Sequence, residues 1–497
     1  MAGTGKTTLV RTLAKIMESG GGFLVASFFF NRGVGNRGEL LKLVPTFAKQ
    51  LTGELRSVAE SIASVLAKDS QVCERYVDIQ FHKLLQTPLK FASDDDSRTR
   101  ILFVIDSLDE CIDTNGIETT LLHLAKLVEI PSIDLRVLIT SRPDYAKKFH
   151  FPNTAYVHKV LDKEQELTIE GDIRVVFQET FKKIRVRRGL GEDWPGQPAI
   201  ETLLSNSQPL FIAAATACRL LEHGEPDEQL EELLDTKYDV SSHGLESIYL
   251  PILQRAEHWG RGGRGPKWVE LFKEIVRPLI VLCNALSMAA LAELLGCSIK
   301  KIKQVLSPLH SVIHVPADNS EPIAAYHLSF REFLINLIGE DQAKFGVDVR
   351  ITHGVLFEKS LELLDASFRK RGMGDSTNVV EGDMCVPACS GLNVGKRQVE
   401  YHISETEKYA ASYWINCLIE SDPDWNGFQR ADEFFKSTLC TGSRRCAGLV
   451  DWTTRRPKSY SNTVPLFSRL ANRLPASCSE KHQIQGESQR DSTDLAG

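Results

Sequence analysis

Ala2-Gly3-Thr4-Gly5-Lys6-Thr7-Thr8 opens the chain and runs directly into Leu9-Val10-Arg11-Thr12-Leu13-Ala14-Lys15-Ile16-Met17, a segment with helical spacing. Small residues ahead of a helix let backbone N–H groups close around phosphate oxygens, and the partly positive helix N-terminus faces the negative charge. In such a loop Lys6 reaches the β- and γ-phosphates and the Thr7 hydroxyl ligates Mg²⁺, while Ala2, Gly3, Thr4, Gly5 and Thr8 complete the phosphate-binding turn. The full pattern is G-x-x-x-x-G-K-[ST]. Counted back from Gly5, its first glycine falls one position before Met1, and the strand leading into the loop falls there too. Without that strand the neighbouring strand edges lose backbone partners, so the expectation is weak nucleotide binding and an aggregation-prone groove. In the helix, Leu9, Leu13 and Ile16/Met17 fall along one face, and Gly20-Gly21-Gly22 ends it.

Outward from this loop, apolar runs of strand length alternate with helical segments. Phe23–Phe30, Ile101–Asp106, Arg136–Thr140 and Ala155–Leu161 have the composition of buried strands. Leu40–Leu66 and Tyr76–Leu89, around a break at Lys68–Gln71, and Ile117–Val128 have helical spacing, and the polar run Ser93–Thr99 is a loop. This alternation predicts an α/β fold: a parallel sheet with helices on both faces, of P-loop NTPase type with its first strand missing. Two strand ends carry chemistry. Ile101-Leu102-Phe103-Val104-Ile105-Asp106 continues into Ser107-Leu108-Asp109-Glu110. An aspartate leaving a buried parallel strand meets a metal at the C-terminal sheet edge, where open α/β sheets bind ligands. Asp106 would hold Mg²⁺ through water, and Asp109 or Glu110 would polarise the attacking water. Arg136-Val137-Leu138-Ile139-Thr140-Ser141-Arg142-Pro143 presents Arg142 at the same edge, where a guanidinium can sense the γ-phosphate.

Beyond residue 163 the periodicity becomes helical: Leu167–Ile184, Ala199–Leu221, Asp227–Leu234 and Leu245–Glu257, then a Gly/Arg-rich linker Gly260–Gly265. Between Trp268 and Leu337, Ser287 is placed to cap a helix ending at Gly296 and Ser298 a second helix through Leu309. Val312–Val315 and Ile323–Leu328 then flank the turn-prone Pro316–Ser320, and a helix follows from Phe330. Two helices followed by a hairpin is winged-helix order. More helices run from Ile351 to Ile419 around the loop Gly372–Gly395, and after Cys478 apolar periodicity is lost, which predicts a largely disordered tail. The expected parcels are therefore 1–163 (NTPase core), 164–258 (helical), 266–340 (winged helix), 341–440 (helical) and 441–497 (tail).

Composition agrees with this layout. At roughly 150 residues per domain, 497 residues make about three domains. A net charge of −6 and 42% hydrophobic residues exclude a chain dedicated to coating nucleic acid or an anionic membrane. No apolar run approaches the ~20 residues of a membrane span, and no secretory signal is present, so a cytoplasmic location is expected. The 11 cysteines form no doubled C-x2-C array: Cys385/Cys389 and Cys440/Cys446 read as reduced thiols. Lys300, Lys301 and Lys303 cluster on the second helix of the winged-helix region, but no arginine-rich wing accompanies them, so nucleic-acid reading is not expected. Trp268, Trp414 and Trp425 read as core aromatics.

Taken together, AGTGKTT, Phe28-Phe29-Phe30-Asn31-Arg32-Gly33, LFVIDSLDEC, LITSRP, Leu210–Ala217, Ser307–Val312 and His327-Leu328-Ser329-Phe330-Arg331-Glu332-Phe333-Leu334 resemble the STAND class of P-loop NTPases. Within it they are most similar to the NACHT group of fungal heterokaryon-incompatibility and nephrocystin-like proteins, over roughly Ala2–Leu337 and more weakly to about Ile419. The resemblance implies that Pro209, matching the proline of a GLPL-like segment, packs near the nucleotide base. It also implies that His327 reaches the β-phosphate of a bound diphosphate; where the family has an aspartate next, this chain has Leu328. The implied function is a signalling switch. ADP or GDP holds the winged helix against the core, exchange for ATP or GTP with Mg²⁺ permits homo-oligomerisation, and slow hydrolysis resets the switch. An alternative of another class is a non-catalytic interaction protein, a STAND remnant with an incomplete nucleotide site, which the absent first glycine and strand favour. A small-molecule P-loop kinase fits less well, because the helices after the sheet bring no lid-like arginine set.

Overall fold

The computed structural model describes residues 3–31, 35–92, 98–111, 113, 116–143, 157, 166–235, 245–258, 265–372, 404–421 and 427–434. The chain divides into two compact units, one of Met1–Leu363 with Ile403–Trp425 and one of Leu364–His402 with Asn426–Gly497. The description below concerns the first.

Its N-terminal part is α/β. Helix α1 (Lys6–Ser19) leads to strand β1 (Leu24–Phe29), then to α2 (Leu43–Glu54) and α3 (Arg56–Lys68). A further helical segment, Val77–Gln80, widens through a π turn at Phe81–Gln86 and ends at Thr87–Leu89. Strand β2 (Thr99–Asp106), helix α4 (Gly116–Val128) and strand β3 (Ile133–Ile139) complete it. The three strands form one parallel sheet in the order β1-β2-β3. β2 is the central strand of the three, and its side chains from Ile101 to Asp106 are all buried. This explains its unbroken apolar run: Ile101, Phe103 and Ile105 enter the larger core with Phe47, Val44, Leu121 and Leu124, whereas Leu102 and Val104 pack on the other face with Val10 and Phe23. The Phe47 and Phe103 rings stack at 4.4 Å.

Three expectations about elements change. The stretch Leu40–Leu66 is a 3₁₀ turn (Leu40–Lys42) and two helices, because Leu55 is extended (φ −120°, ψ 107°) just after the poor helix former Gly53. Ala199–Leu221 is likewise two helices, since a residue before proline is pushed out of the helical region and Gln208 stands at ψ 141° before Pro209. In α1 the face that packs is Val10 with Ala14 and Met17, while Leu9 (56%) and Ile16 (59%) are exposed. The strand expected at Ala155–Leu161 (save for residue 157), linker residues 260–264, the loop after Gly372, Trp425, the two close cysteine pairs and the tail lie outside the described residues.

The remainder of the unit is mostly helical. Helices α5 (Glu166–Arg188), α6 (Gln197–Ser207), α7 (Phe211–His223), α8 (Pro226–Asp235) and α9 (Glu246–His258) come first, followed by α10 (Gly265–Leu271), which continues through a π turn to Val281. α11 (Met288–Leu295) is capped by Ser287, whose hydroxyl accepts the Ala290 N–H at 3.2 Å, and ends at the left-handed Gly296 (φ 65°). Ser298 caps α12 (Ile299–Leu306) through the Lys301 N–H. Strands β4 (Ile313–His314) and β5 (Ala324–Ala325) pair antiparallel, and α13 (Leu328–Asn336) follows. Helix α14 begins at Val349, and α15 (Glu405–Glu420) docks against α11 through Glu405–Ser287 (2.5 Å) and Thr406–Glu293 (2.5 Å) contacts. Among the described residues no helix is long and apolar enough to cross a membrane.

Candidate functional site

Parallel register brings the chemistry-bearing strand ends level. Phe29 of β1 pairs with Asp106 of β2, and Ile105 pairs with Ile139 of β3, so Phe29, Asp106 and Thr140 leave the sheet together. The loop Gly3–Gly5 faces this edge. Gly3 (φ 77°) and Gly5 (φ 81°) are both left-handed, a conformation open to glycine and costly for other residues. A Cβ on Gly3 would lie 2.3 Å from Cγ2 of Ile212, so the loop also needs glycine to approach α7. α1 starts at Lys6 with no side chain capping it, which leaves its first N–H groups directed at the space in front of the loop.

Asp106 is 1% exposed and is held by hydroxyls. Thr7 Oγ1 donates to Oδ2 at 2.7 Å, Thr140 Oγ1 donates to Oδ1 at 2.5 Å, and Ser107 Oγ lies 3.2 Å from Oδ2. Thr140 also accepts the Ser107 N–H at 2.9 Å, which supports Ser107 in a left-handed backbone (φ 55°) that non-glycine residues seldom adopt. Lys6 stands close by. Burial lowers its pKa, and the charges of Asp109, Asp106 and Glu110 oppose that shift while Arg142 adds to it.

Arg142 is the hub of the outer side. Its Nε lies 3.0 Å from Asp109 Oδ2, and its backbone N–H donates to Asp109 Oδ1 at 3.2 Å. One terminal nitrogen reaches both carboxylate oxygens of Glu332 on α13, each at 2.7 Å. Burial would lower the Arg142 pKa, but the Glu332 hydrogen bonds and the charges of Glu332, Asp109 and Glu110 reverse the shift, so the guanidinium stays charged. His327 caps α13: its Nδ1 accepts the Ser329 N–H at 3.1 Å. Burial, reinforced by the cations Arg142, Lys6 and Arg219, pushes the His327 pKa down to about 4, so the imidazole is neutral at physiological pH.

These groups line one cavity of about 390 Å³. Gly3–Thr8, Asp106, Asp109, Glu110 and Arg142 form its polar end, with Arg11, Asn31 and Arg37 at the rim. Its apolar walls come from Phe211, Ile212 and Ala215 on α7, Leu279, Leu282 and Ala285 after α10, and Ile323 to Ala325 around β5. Ten of the positions singled out in the sequence therefore meet around one space: Gly3, Thr4, Gly5, Lys6, Thr7, Thr8, Asp106, Asp109, Glu110 and Arg142, with His327 beside them. Pro209 does not line it; the α7 residues just after it, Phe211 and Ile212, do. Ala2 lies outside the described residues. Lys300, Lys301 and Lys303 sit on the exposed side of α12, away from Ile302, Val305 and Leu306, which are buried. Trp268 and Trp414 are buried.

Sequence reasoning misses Thr140 and Glu332. Thr140 reads only as a strand residue; its place one step beyond the partner of Ile105 is the signal that could have found it. Glu332 gives no local signal, since its partner is 190 residues away.

No curated protein matches the chain. Residues 1–142 match the family model described as Nephrocystin 3, N-terminal. That span runs from the glycine loop through all three parallel strands and stops at Arg142, so this α/β part of the chain is similar to a nephrocystin-3-like domain.

Proposed function

We propose that the chain is a nucleotide-dependent signalling switch of NACHT/STAND type, which binds ATP or GTP with Mg²⁺ and hydrolyses it slowly. In this reading ADP or GDP marks the resting state, α11 to α13 with β4 and β5 act as a winged helix, and nucleotide exchange permits homo-oligomerisation in the cytoplasm. The observation that carries the proposal is the 2.7 Å hydrogen bond from Thr7 to the buried Asp106, which joins the glycine loop to the end of β2 beside Lys6. A hydroxyl and a carboxylate in contact at the foot of a phosphate-binding turn are the donor set that Mg²⁺ takes in P-loop sites. The glycine cradle fits as well, since a Cβ at Gly3 would meet Ile212.

Each group then has a task. The N–H groups of Gly3–Thr8 bind phosphate oxygens, Lys6 neutralises the β/γ region, and Thr7 with Asp106 holds Mg²⁺. Bound Mg²⁺ supplies charge neutralisation of the phosphates. Asp109 or Glu110 orients the attacking water, and Arg142 senses the γ-phosphate. His327 is neutral and lines the same cavity as Lys6; with its Nδ1 accepting the Ser329 N–H, the other ring nitrogen carries the proton and would donate to the diphosphate. The apolar walls around Phe211 and Leu282 suit a base.

Equilibrium titration of a fluorescent nucleotide tests this. Lys6→Ala should abolish binding, and Asp106→Asn should remove the Mg²⁺-dependent part of the affinity. Affinity unchanged in both would exclude the assignment. A second reading, a non-catalytic interaction protein, is favoured by one observation: all three hydroxyls around Asp106 already satisfy its carboxylate. It predicts no uptake of radiolabelled nucleotide with or without Mg²⁺.

A further inference from the structure

At the polar end of the cavity, Arg142 and Asp109 line the space and Glu332 stands just behind Arg142, a charge arrangement that the proposed nucleotide site does not itself require. Arg142 leaves β3 at the polar end, where its guanidinium would meet a γ-phosphate, yet two of its three nitrogens, Nε and Nη1, are engaged by carboxylates. Asp109 comes from the same sheet edge, 33 residues away in sequence, and its side chain is only 9% exposed. Glu332 comes from α13, 190 residues away, and engages Arg142 with both oxygens at 2.7 Å. The three side chains together carry a net single negative charge. Asp109 accepts from both the Arg142 backbone and its side chain, so it belongs to the edge itself. Glu332 is the partner that can leave, since its side chain is 38% exposed and sits on a separate helix.

We infer that Glu332 is a specificity-determining residue that sets the preference for nucleoside diphosphate over triphosphate by competing with the γ-phosphate for Arg142. The inference rests on the proposed nucleotide reading. A diphosphate ends at the loop and Lys6 and leaves the Arg142–Glu332 pair intact. A triphosphate places added negative charge beside Arg142, where Glu332 repels it and already engages one terminal nitrogen of the guanidinium with both oxygens. The triphosphate therefore binds well only when Glu332 withdraws, and any movement of α13, which carries Glu332, away from Arg142 favours it. By reciprocity, a contact that favours one ligand over another by a given factor shifts the α13 equilibrium by the same factor. His327, at the N-terminus of the same helix, lines the same cavity, so a movement of α13 would shift both side chains relative to the bound phosphates.

The test compares dissociation constants of the full chain for Mg²⁺ complexes of a diphosphate and a non-hydrolysable triphosphate, with adenosine and guanosine forms in parallel. The wild type should favour the diphosphate by about tenfold or more, and Glu332→Gln should shrink that ratio at least about fivefold by tightening the triphosphate alone. Glu332→Asp, which keeps the charge, should stay near the wild-type ratio, and Glu332→Ala should behave like Glu332→Gln, so that misfolding of one variant does not decide the outcome. If both nucleotides bind and the ratio is the same in Glu332→Gln and Glu332→Ala as in the wild type, the role assigned to Glu332 is wrong while the nucleotide site stands. If the wild type binds neither nucleotide, both the site and this inference fall.

Discussion

At the scale of single residues, the site is organised around a buried carboxylate satisfied by hydroxyls. Thr140 serves it twice, donating to Asp106 and accepting the Ser107 N–H. Thr140→Val keeps the shape but leaves a buried acceptor short of a donor and a backbone donor unpaired, so it should cost about 1–3 kcal/mol of stability in denaturant unfolding. A change within error would mean that water replaces the hydroxyl. Gly3→Ala should be worse tolerated than a surface Gly→Ala. It forces a left-handed alanine at φ 77°, costing on the order of 1 kcal/mol, and drives a Cβ into Ile212. Its stability loss should be partly recovered by Ile212→Ala in the same background; additivity of the two changes would show that the contact is not the cause. Lys6, Thr7 and Asp106 are legible because each sits in a local pattern, a glycine loop running into a helix or the end of an unbroken apolar strand. Thr140 and Glu332 are not, because a threonine at a strand end and a glutamate on a helix are ordinary until their partners are known.

At the scale of elements, what local spacing encodes and what packing decides come apart at helix breaks and faces. The buried run of β2 is readable because a central parallel strand is apolar on both faces. Phe103 lies in its middle against Phe47, and Phe103→Ala should cost about 3–5 kcal/mol, read as a fall in the denaturant midpoint without a change of slope. The caps at Ser287 and Ser298 are also readable, but not their unequal weight. Ser287 binds both the Ala290 N–H and Glu405 of α15, whereas Ser298 caps only its own helix. Ser287→Ala should therefore destabilise by about 1–2 kcal/mol and exceed Ser298→Ala in the same unfolding assay. Equal losses would show that the Glu405 contact contributes nothing. The face of α1 is misread from spacing for a physical reason: apolar residues lie on two of its sides, and only the sheet decides that Val10, Ala14 and Met17 go inward.

At the scale of the whole molecule, burial of neutral histidines makes stability depend on pH. His327 and His353 both have pKa values pushed down to about 4, chiefly by burial, with Arg142, Lys6 and Arg219 acting on the first and Arg331 on the second. Between the ordinary value near 6.5 and about 4 the unfolded chain binds the extra protons, so stability is full above about 6.5 and falls as pH drops through that window. Each histidine contributes on the order of 3 kcal/mol over the full window, and His353→Gln should flatten the acid limb of a melting-temperature profile. An unchanged profile would place the acid sensitivity elsewhere. A bound polyphosphate should raise the His327 pKa by offsetting the nearby cations, which is measurable as a nucleotide-dependent shift in its imidazole resonance. By itself the sequence determined the glycine loop, the buried strands with their terminal Asp106 and Arg142, and the caps of the short helices, because each follows from interactions within a few residues. The tertiary structure alone decided which α1 face is buried, that Thr140 completes the Asp106 cluster, and that Glu332 holds Arg142. Strand register and the return of α13 over the sheet edge bring those groups together from 34 and 190 residues apart, a distance at which no local pattern can record a contact.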